Sequence, residues 1–117
     1  MNSSEKQLAD HNAKVVVSDF INALNNEDFD AARRQLADNM TFEGVMGKRN
    51  GADIYMEDMS KMKFKYKIKK MFADDNEVSV WYDIKIGDKL IFASGWYQLE
   101  DEKIKNFRVL FDPRPIL

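Results

Sequence analysis

Cysteine is absent from this chain, histidine occurs once, and only two prolines and five glycines punctuate 117 residues. Without cysteine there is no disulfide, no thiolate nucleophile and no thiolate-bound metal, which fits a reducing, cytoplasmic setting. Neither sign of charge dominates: 18 basic residues against 20 acidic ones leave −2, unlike the basic surplus of nucleic-acid-binding domains. No apolar run approaches bilayer-spanning length, and the opening MNSSEKQLADHN lacks the apolar core of a signal peptide. Nucleic acid and membrane are therefore not expected as partners. No cofactor motif or metal-ligand set is legible, and the lone His11 falls at the start of the first helix, on the surface, and is not read as catalytic.

What is present reads as one ordinary globular domain: 44% hydrophobic, 32% charged, large enough for one core and too small for two. Residues 1–10 read as a flexible tail and 11–117 as the domain. His11–Asn25 forms a helix on the spacing of Val16, Val17, Phe20, Ile21 and Leu24. Asp28 caps a second helix over Phe29–Ala37. Met40–Gly44 is a short strand, Val45–Asp53 a loop, and a third helix covers about Ala52 to Lys61. Phe64, Tyr66 and Ile68 then alternate with lysines until Lys69-Lys70, where the break in pattern marks a bulge. Those lysines read as a solvated face that discourages edge pairing.

The last third organises the chain. EVSVWYDIKI, KLIFASGWYQL and KIKNFRVLF alternate with period 2 and are joined by short turns at Gly87-Asp88 and Glu100–Glu102. A two-residue turn sets Ile84 opposite Ile91, Tyr82 opposite Ala93 and Val80 opposite Gly95. A short loop then sets Leu99 opposite Ile104, Tyr97 opposite Asn106 and Gly95 opposite Arg108. One face thus carries Val78, Val80, Tyr82, Ala93, Gly95, Tyr97, Asn106 and Arg108. The other carries Trp81, Phe92, Trp96, Phe107, Val109 and Phe111. A one-residue slip would exchange the two sets.

The first face is apolar with a few convergent polar groups, the character of a small-molecule site. Its expected ligand-binding residues are Arg108 as polar anchor, with Asn106, Tyr82, Tyr97, Phe20, Phe42, Met46, Tyr55, Met59 and Tyr66. Met46, Met56, Met59 and Met62 would give an adaptable wall, unless they are core filler. Equally, Gly95 can mark a bend in a plain core sheet with Arg108 at the rim. The second face is too apolar to stand in water and calls for helices or a second subunit over it.

Helices first and a meander after make the fold α+β. The stretches FINALNNEDFDAARRQLADNMTFEGVMGKRNGADIYMEDM and ASGWYQLEDEKIKNFRVLFDPRP resemble the nuclear transport factor 2-like superfamily, and its small SnoaL-like members in particular. The marks are the Asp28-Phe29 step between helices, Phe42-x-Gly44 followed by Gly51, and Gly95-Trp96 leading to Phe111-Asp112-Pro113. The resemblance implies a cone: a strongly curved antiparallel or mixed sheet wrapped round three N-terminal helices, a cystatin-like α+β barrel open at one end. It also implies a homodimer through the outer sheet face, here Trp81, Phe92, Trp96, Phe107, Val109 and Phe111.

Among ketosteroid isomerases of that superfamily, a carboxylate base and two oxyanion donors occupy positions that match Gly44, Phe20 and Gly95. None of the three is present, so that isomerase chemistry is not expected. The expected function is binding of a small, largely apolar ligand with a polar or anionic end. The alternatives are a lyase, isomerase or hydrolase working through Arg108, Asn106 and tyrosines, and a non-catalytic dimeric interaction domain.

Overall fold

Helices precede strands in the computed structural model, which describes residues 3–117. The order is α1 (Ser3–Asn25), α2 (Phe29–Arg34), β1 (Leu36–Gly44), β2 (Gly47–Asn50), α3 (Ala52–Met62), β3 (Lys65–Asp74), β4 (Glu77–Ile86), β5 (Lys89–Glu100) and β6 (Lys103–Phe111). All six strands join one curved, unclosed sheet in the order β2-β1-β6-β5-β4-β3. The β1–β6 pair is parallel and the other neighbours are antiparallel, so the sheet is mixed.

The expected tail is helical from Ser3 onward; Met1 and Asn2 lie outside the described residues. No glycine or proline falls in this stretch, so nothing in it breaks the helix. Lys6 ties its first turns to the β3–β4 turn through Asp74 at 2.5 Å, with Asp10 at 3.5 Å and Asp75 at 3.7 Å. Farther along, Ala13, Val17, Phe20, Ile21 and Leu24 form the buried stripe, spaced at three and four.

The end of α1 is built with care. Glu27 adopts φ 54°, Glu27 N–H donates to the Leu24 carbonyl and Asp28 N–H to the Ala23 carbonyl, a Schellman ending without glycine. Lys65 and Lys63 flank the Glu27 carboxylate at 3.1 and 3.6 Å and hold it below its usual proton affinity. Asn25 meanwhile acts as a stray piece of strand. Its amide accepts from Tyr66 N–H at 2.7 Å and donates to the Tyr66 carbonyl at 2.8 Å, docking α1 on the edge strand.

Two expectations shift where pairing overrides local propensity. α2 stops at Arg34 because Leu36 already pairs with Ile104, and Ile104 N–H donates to the Gln35 carbonyl. The Val45–Asp53 loop contains β2, folded back on β1 with Gly44 opposite Gly47. Beyond Pro113 the chain makes one 3-10 turn, Arg114–Ile116, which includes Pro115.

The bulge in β3 lies where the pattern breaks, between Ile68 and Lys70. The β4–β5 register is as expected throughout, from Ile86 opposite Lys89 to Val78 opposite Tyr97. The β5–β6 register is not. Leu99 opposes Ile104, but Gln98 opposes Asn106, so Lys105 is an extra residue and every later pair moves by one. Tyr97 therefore faces Phe107, Gly95 faces Val109 and Ala93 faces Phe111. Phe107 and Val109 are buried at 2% and 7% exposure, whereas Arg108 and Leu110 stand on the outer face. The expected sidedness of β6 is thus reversed beyond Lys105. The cause is hydrophobic: burying Ile104 together with Phe107, Val109 and Phe111 requires one change of phase, and the bulge supplies it.

Candidate functional site

The open end of the cone holds a cavity of about 380 Å3 between α1, α3 and the inner face of the sheet. Its walls are aromatic. Tyr97 stacks on Phe107 at 4.7 Å between ring centres, Tyr55 meets Phe107 edge-on at 5.3 Å, and Phe42 lies 5.0 Å from both Tyr55 and Phe107. Contacts of this kind fix ring orientations as well as burying area. Met59, Tyr66 and Tyr82 continue the wall, and the Tyr66 hydroxyl approaches the Met59 sulfur at 3.9 Å.

Deep in this wall the Tyr82 and Tyr97 hydroxyls form a hydrogen bond of 2.9 Å. Gly95 makes room for it. A Cβ there would lie 2.5 Å from Tyr82 Oη and 2.8 Å from the Tyr97 ring. The space that Gly95 leaves in mid-sheet is filled by these two tyrosines. The Tyr55 hydroxyl makes no hydrogen bond to a described residue and is not sealed off, so it opens on the cavity. Burial pushes the proton affinity of all four tyrosines, Tyr55, Tyr66, Tyr82 and Tyr97, well above the ordinary value. They are neutral hydroxyls at any physiological pH.

Charge is confined to the rim. Asp58 on α3 accepts from Arg49 on β2 at 2.7 Å, and Lys48 stands beside this pair. Asp58 is the one carboxylate among the lining residues. This pair was invisible in the sequence, because nothing local brings β2 to α3.

Eight of the ten expected ligand-binding residues gather here: Phe20, Phe42, Met46, Tyr55, Met59, Tyr66, Tyr82 and Tyr97. Arg108 and Asn106 do not. The Lys105 bulge turns both outward, where Arg108 pairs with Glu43 at 3.3 Å and lies 6.0 Å from the Trp96 ring centre. They border a separate outer hollow of about 320 Å3 with Glu43, Lys48 and Trp96. In exchange Phe107, Val109 and Phe111, expected at a subunit contact, line the cavity. The signal for this was present: in NFRVLF the apolar residues alternate with the polar ones in the opposite phase to Ile104.

Gly44 and Phe20 both reach the cavity lining, and neither offers a base or an acidic hydrogen. His11 is exposed on α1 and is not among the lining residues. Asp10, Asp74 and Asp75 bring carboxylate oxygens within 4.8 Å of one another, and the Lys6 ammonium already stands among them, within ion-pair distance of all three. Among the described residues no helix is long and apolar enough to cross a membrane.

The SnoaL-like domain model matches residues 17–107. A crystal structure of an NTF2-like protein of unknown function from Cytophaga hutchinsonii superposes with a TM-score of 0.88 at 50% identity, over 89% of this chain and 93% of that one. An LEH-like epoxide hydrolase of Mycobacterium tuberculosis gives 0.79 at 27% identity, over 90% and 86%. A protein of unknown function with a cystatin-like fold from Methylobium petroleophilum gives 0.79 at 11% identity, over 86% and 76%, a likeness of fold alone. No curated protein matches the chain in sequence. With most of its length covered by the family model and its cone shared with these structures, the chain belongs to the SnoaL-like domain family and has the NTF2-like fold.

Proposed function

We propose that this domain binds a small, neutral, largely apolar molecule in the cone. The observation that carries this reading is the cavity of about 380 Å3, walled by aromatic rings and methionine, with its charges at the rim. Such a volume falls within the range of small-molecule sites. An anionic ligand end, expected when Arg108 stood inside, has no cation to meet in the interior. Equilibrium dialysis with 2-isopropenylnaphthalene, a neutral hydrocarbon, tests the reading. Saturable uptake of one molecule per chain is expected; absence of saturable uptake overturns it.

Asp58 favours a second reading, in which the cavity opens an electrophile such as an epoxide. It is the one carboxylate among the residues that line the cavity, and the 27% identical mycobacterial structure is an LEH-like epoxide hydrolase. Turnover of styrene oxide that disappears in Asp58→Asn would support it. Retained hydrocarbon binding without turnover leaves the binding reading standing alone.

We also propose that two copies pair through the outer face of the sheet. Phe72, Trp81, Leu90, Phe92, Trp96 and Leu110 are exposed there, and Trp81 stacks on Phe92 at 5.6 Å. Isolated exposed apolar residues are ordinary, but a contiguous group on one sheet face marks a contact surface. A two-fold pairing of the same face would cover it on both copies. Sedimentation as a monomer at micromolar concentration would remove this reading.

A further inference from the structure

We propose that Met46 and Met62 form an oxidation site at the open end of the cone, where conversion of their thioethers to sulfoxides by hydrogen peroxide loosens the hold on an apolar ligand. This inference rests on the apolar-cavity reading and adds a means of regulating that site. The chain has no cysteine, so its thioethers are the sulfur groups open to two-electron oxidation. Their placement is divided. Met40, Met56 and Met59 are buried. Met71 is half-buried, and its sulfur accepts from the Ser18 hydroxyl at 3.6 Å. Met46 and Met62, at 64% and 52% exposure, are the exposed methionines among the described residues, and both line the cavity.

The two come from different elements. Met46 sits in the turn between β1 and β2, and Met62 is the last residue of α3. Oxidisable sulfur that a solvent-borne oxidant can reach therefore stands at the entrance, whereas Met59, farther in beside the Tyr66 hydroxyl, is sheltered. In the reaction a sulfur lone pair bonds to one peroxide oxygen and the O–O bond breaks. The departing hydroxide takes the proton left on the new S–OH and leaves as water, so sulfur loses two electrons and the peroxide gains two. The thioether is a soft apolar group that adapts to an apolar ligand. The sulfoxide is polar, and a ligand seated against the entrance would cover its oxygen from water without offering it a partner.

In the experiment the chain is treated with hydrogen peroxide, freed of it, mapped by peptide mass spectrometry and dialysed against 2-isopropenylnaphthalene. Met46 and Met62 are expected to gain one oxygen each well before Met40, Met56 and Met59. Affinity for the hydrocarbon should then fall roughly fivefold or more, the effect of covering a polar group left without a partner. Reduction by the two methionine sulfoxide reductases, one for each epimer, should restore it. In the double variant Met46→Leu, Met62→Leu, peroxide should leave affinity at that variant's own untreated value, because leucine has no sulfur to oxidise. Unchanged affinity in a wild-type chain carrying both sulfoxides overturns the inference and leaves the cavity reading intact. Oxidation of the buried methionines in step with the exposed pair overturns it too, as does an equal peroxide-induced loss in the double variant. An untreated chain that takes up no hydrocarbon overturns the cavity reading itself, and with it this control. The wild-type comparison needs no variant, so an unstable double variant does not rescue the inference.

Discussion

A methyl group on Gly95 would stand 2.5 Å from the Tyr82 hydroxyl oxygen, closer than any unstrained contact allows. Gly95→Ala is therefore expected to destabilise the domain by roughly 1–3 kcal/mol, the usual range for overpacking a filled interior. Urea unfolding measures it. Adding Tyr82→Phe removes the oxygen at 2.5 Å but leaves the Tyr97 ring carbon at 2.8 Å, so rescue should be partial. A full additive loss in the double variant would show that the two sites do not collide.

Arg108→Met is expected to leave probe affinity unchanged and to alter stability by no more than about 0.5 kcal/mol. The Arg108 side chain is 62% exposed on the outer face, and its partner Glu43 is also partly in water, so their ion pair is weak. A collapse of probe binding, followed by dialysis, would place this side chain at the ligand after all.

Asn25→Leu should cost roughly 1–3 kcal/mol, because it leaves the Tyr66 N–H and carbonyl without their partners in a partly buried seam. Hydrogen exchange should rise first at the edge strand β3 and the end of α1. Uniform exchange along the chain would contradict a local seam.

Alkaline pH offers a test of the buried hydroxyls. Folding raises the proton affinity of all four tyrosines above the ordinary value of 10.0. Above that pH the unfolded chain sheds phenolic protons that the folded chain keeps, so stability is complete below about pH 10 and falls as pH rises beyond it. The limiting slope is about 1.4 kcal/mol per pH unit for each tyrosine. Phenolate absorbance should appear in step with unfolding by circular dichroism. A phenolate signal preceding unfolding would place at least one hydroxyl in open solvent.

Trp81→Glu and Phe92→Glu place charge in the middle of the outer apolar group, where the two rings stack. If two copies meet there, either change should convert the sedimenting species from two chains to one without loss of secondary structure. An unchanged sedimentation coefficient would move the contact elsewhere.

Much of this architecture was legible wherever a turn sat beside a clean alternation. Gly87-Asp88 fixed the β4–β5 register, and Lys69-Lys70 announced its own bulge by interrupting the pattern. Tyr82 and Tyr97 followed from that register, Phe20, Tyr55 and Met59 from helical spacing, and Tyr66 from the alternation of its own strand. The β6 strand was misjudged because the hairpin begins in the expected register at Leu99–Ile104 and only then slips. Turn length sets a starting register, whereas burial decides whether it continues. The Asp58–Arg49 pair lay beyond reach for another reason: it joins a helix to a four-residue exposed strand, and neither has a periodic pattern that would place them together.

The extra residue at Lys105 lets this strand lose one letter without changing what the cone contains. Deleting that lysine would leave an unbroken ladder in which Asn106 still opposes Gln98 and Phe107 still opposes Tyr97, so the guanidinium and the amide stay outside while Phe107, Val109 and Phe111 stay within. A relative that lacks this residue can therefore line its chamber with the same side chains, provided the gap between the two sequences is set at that point.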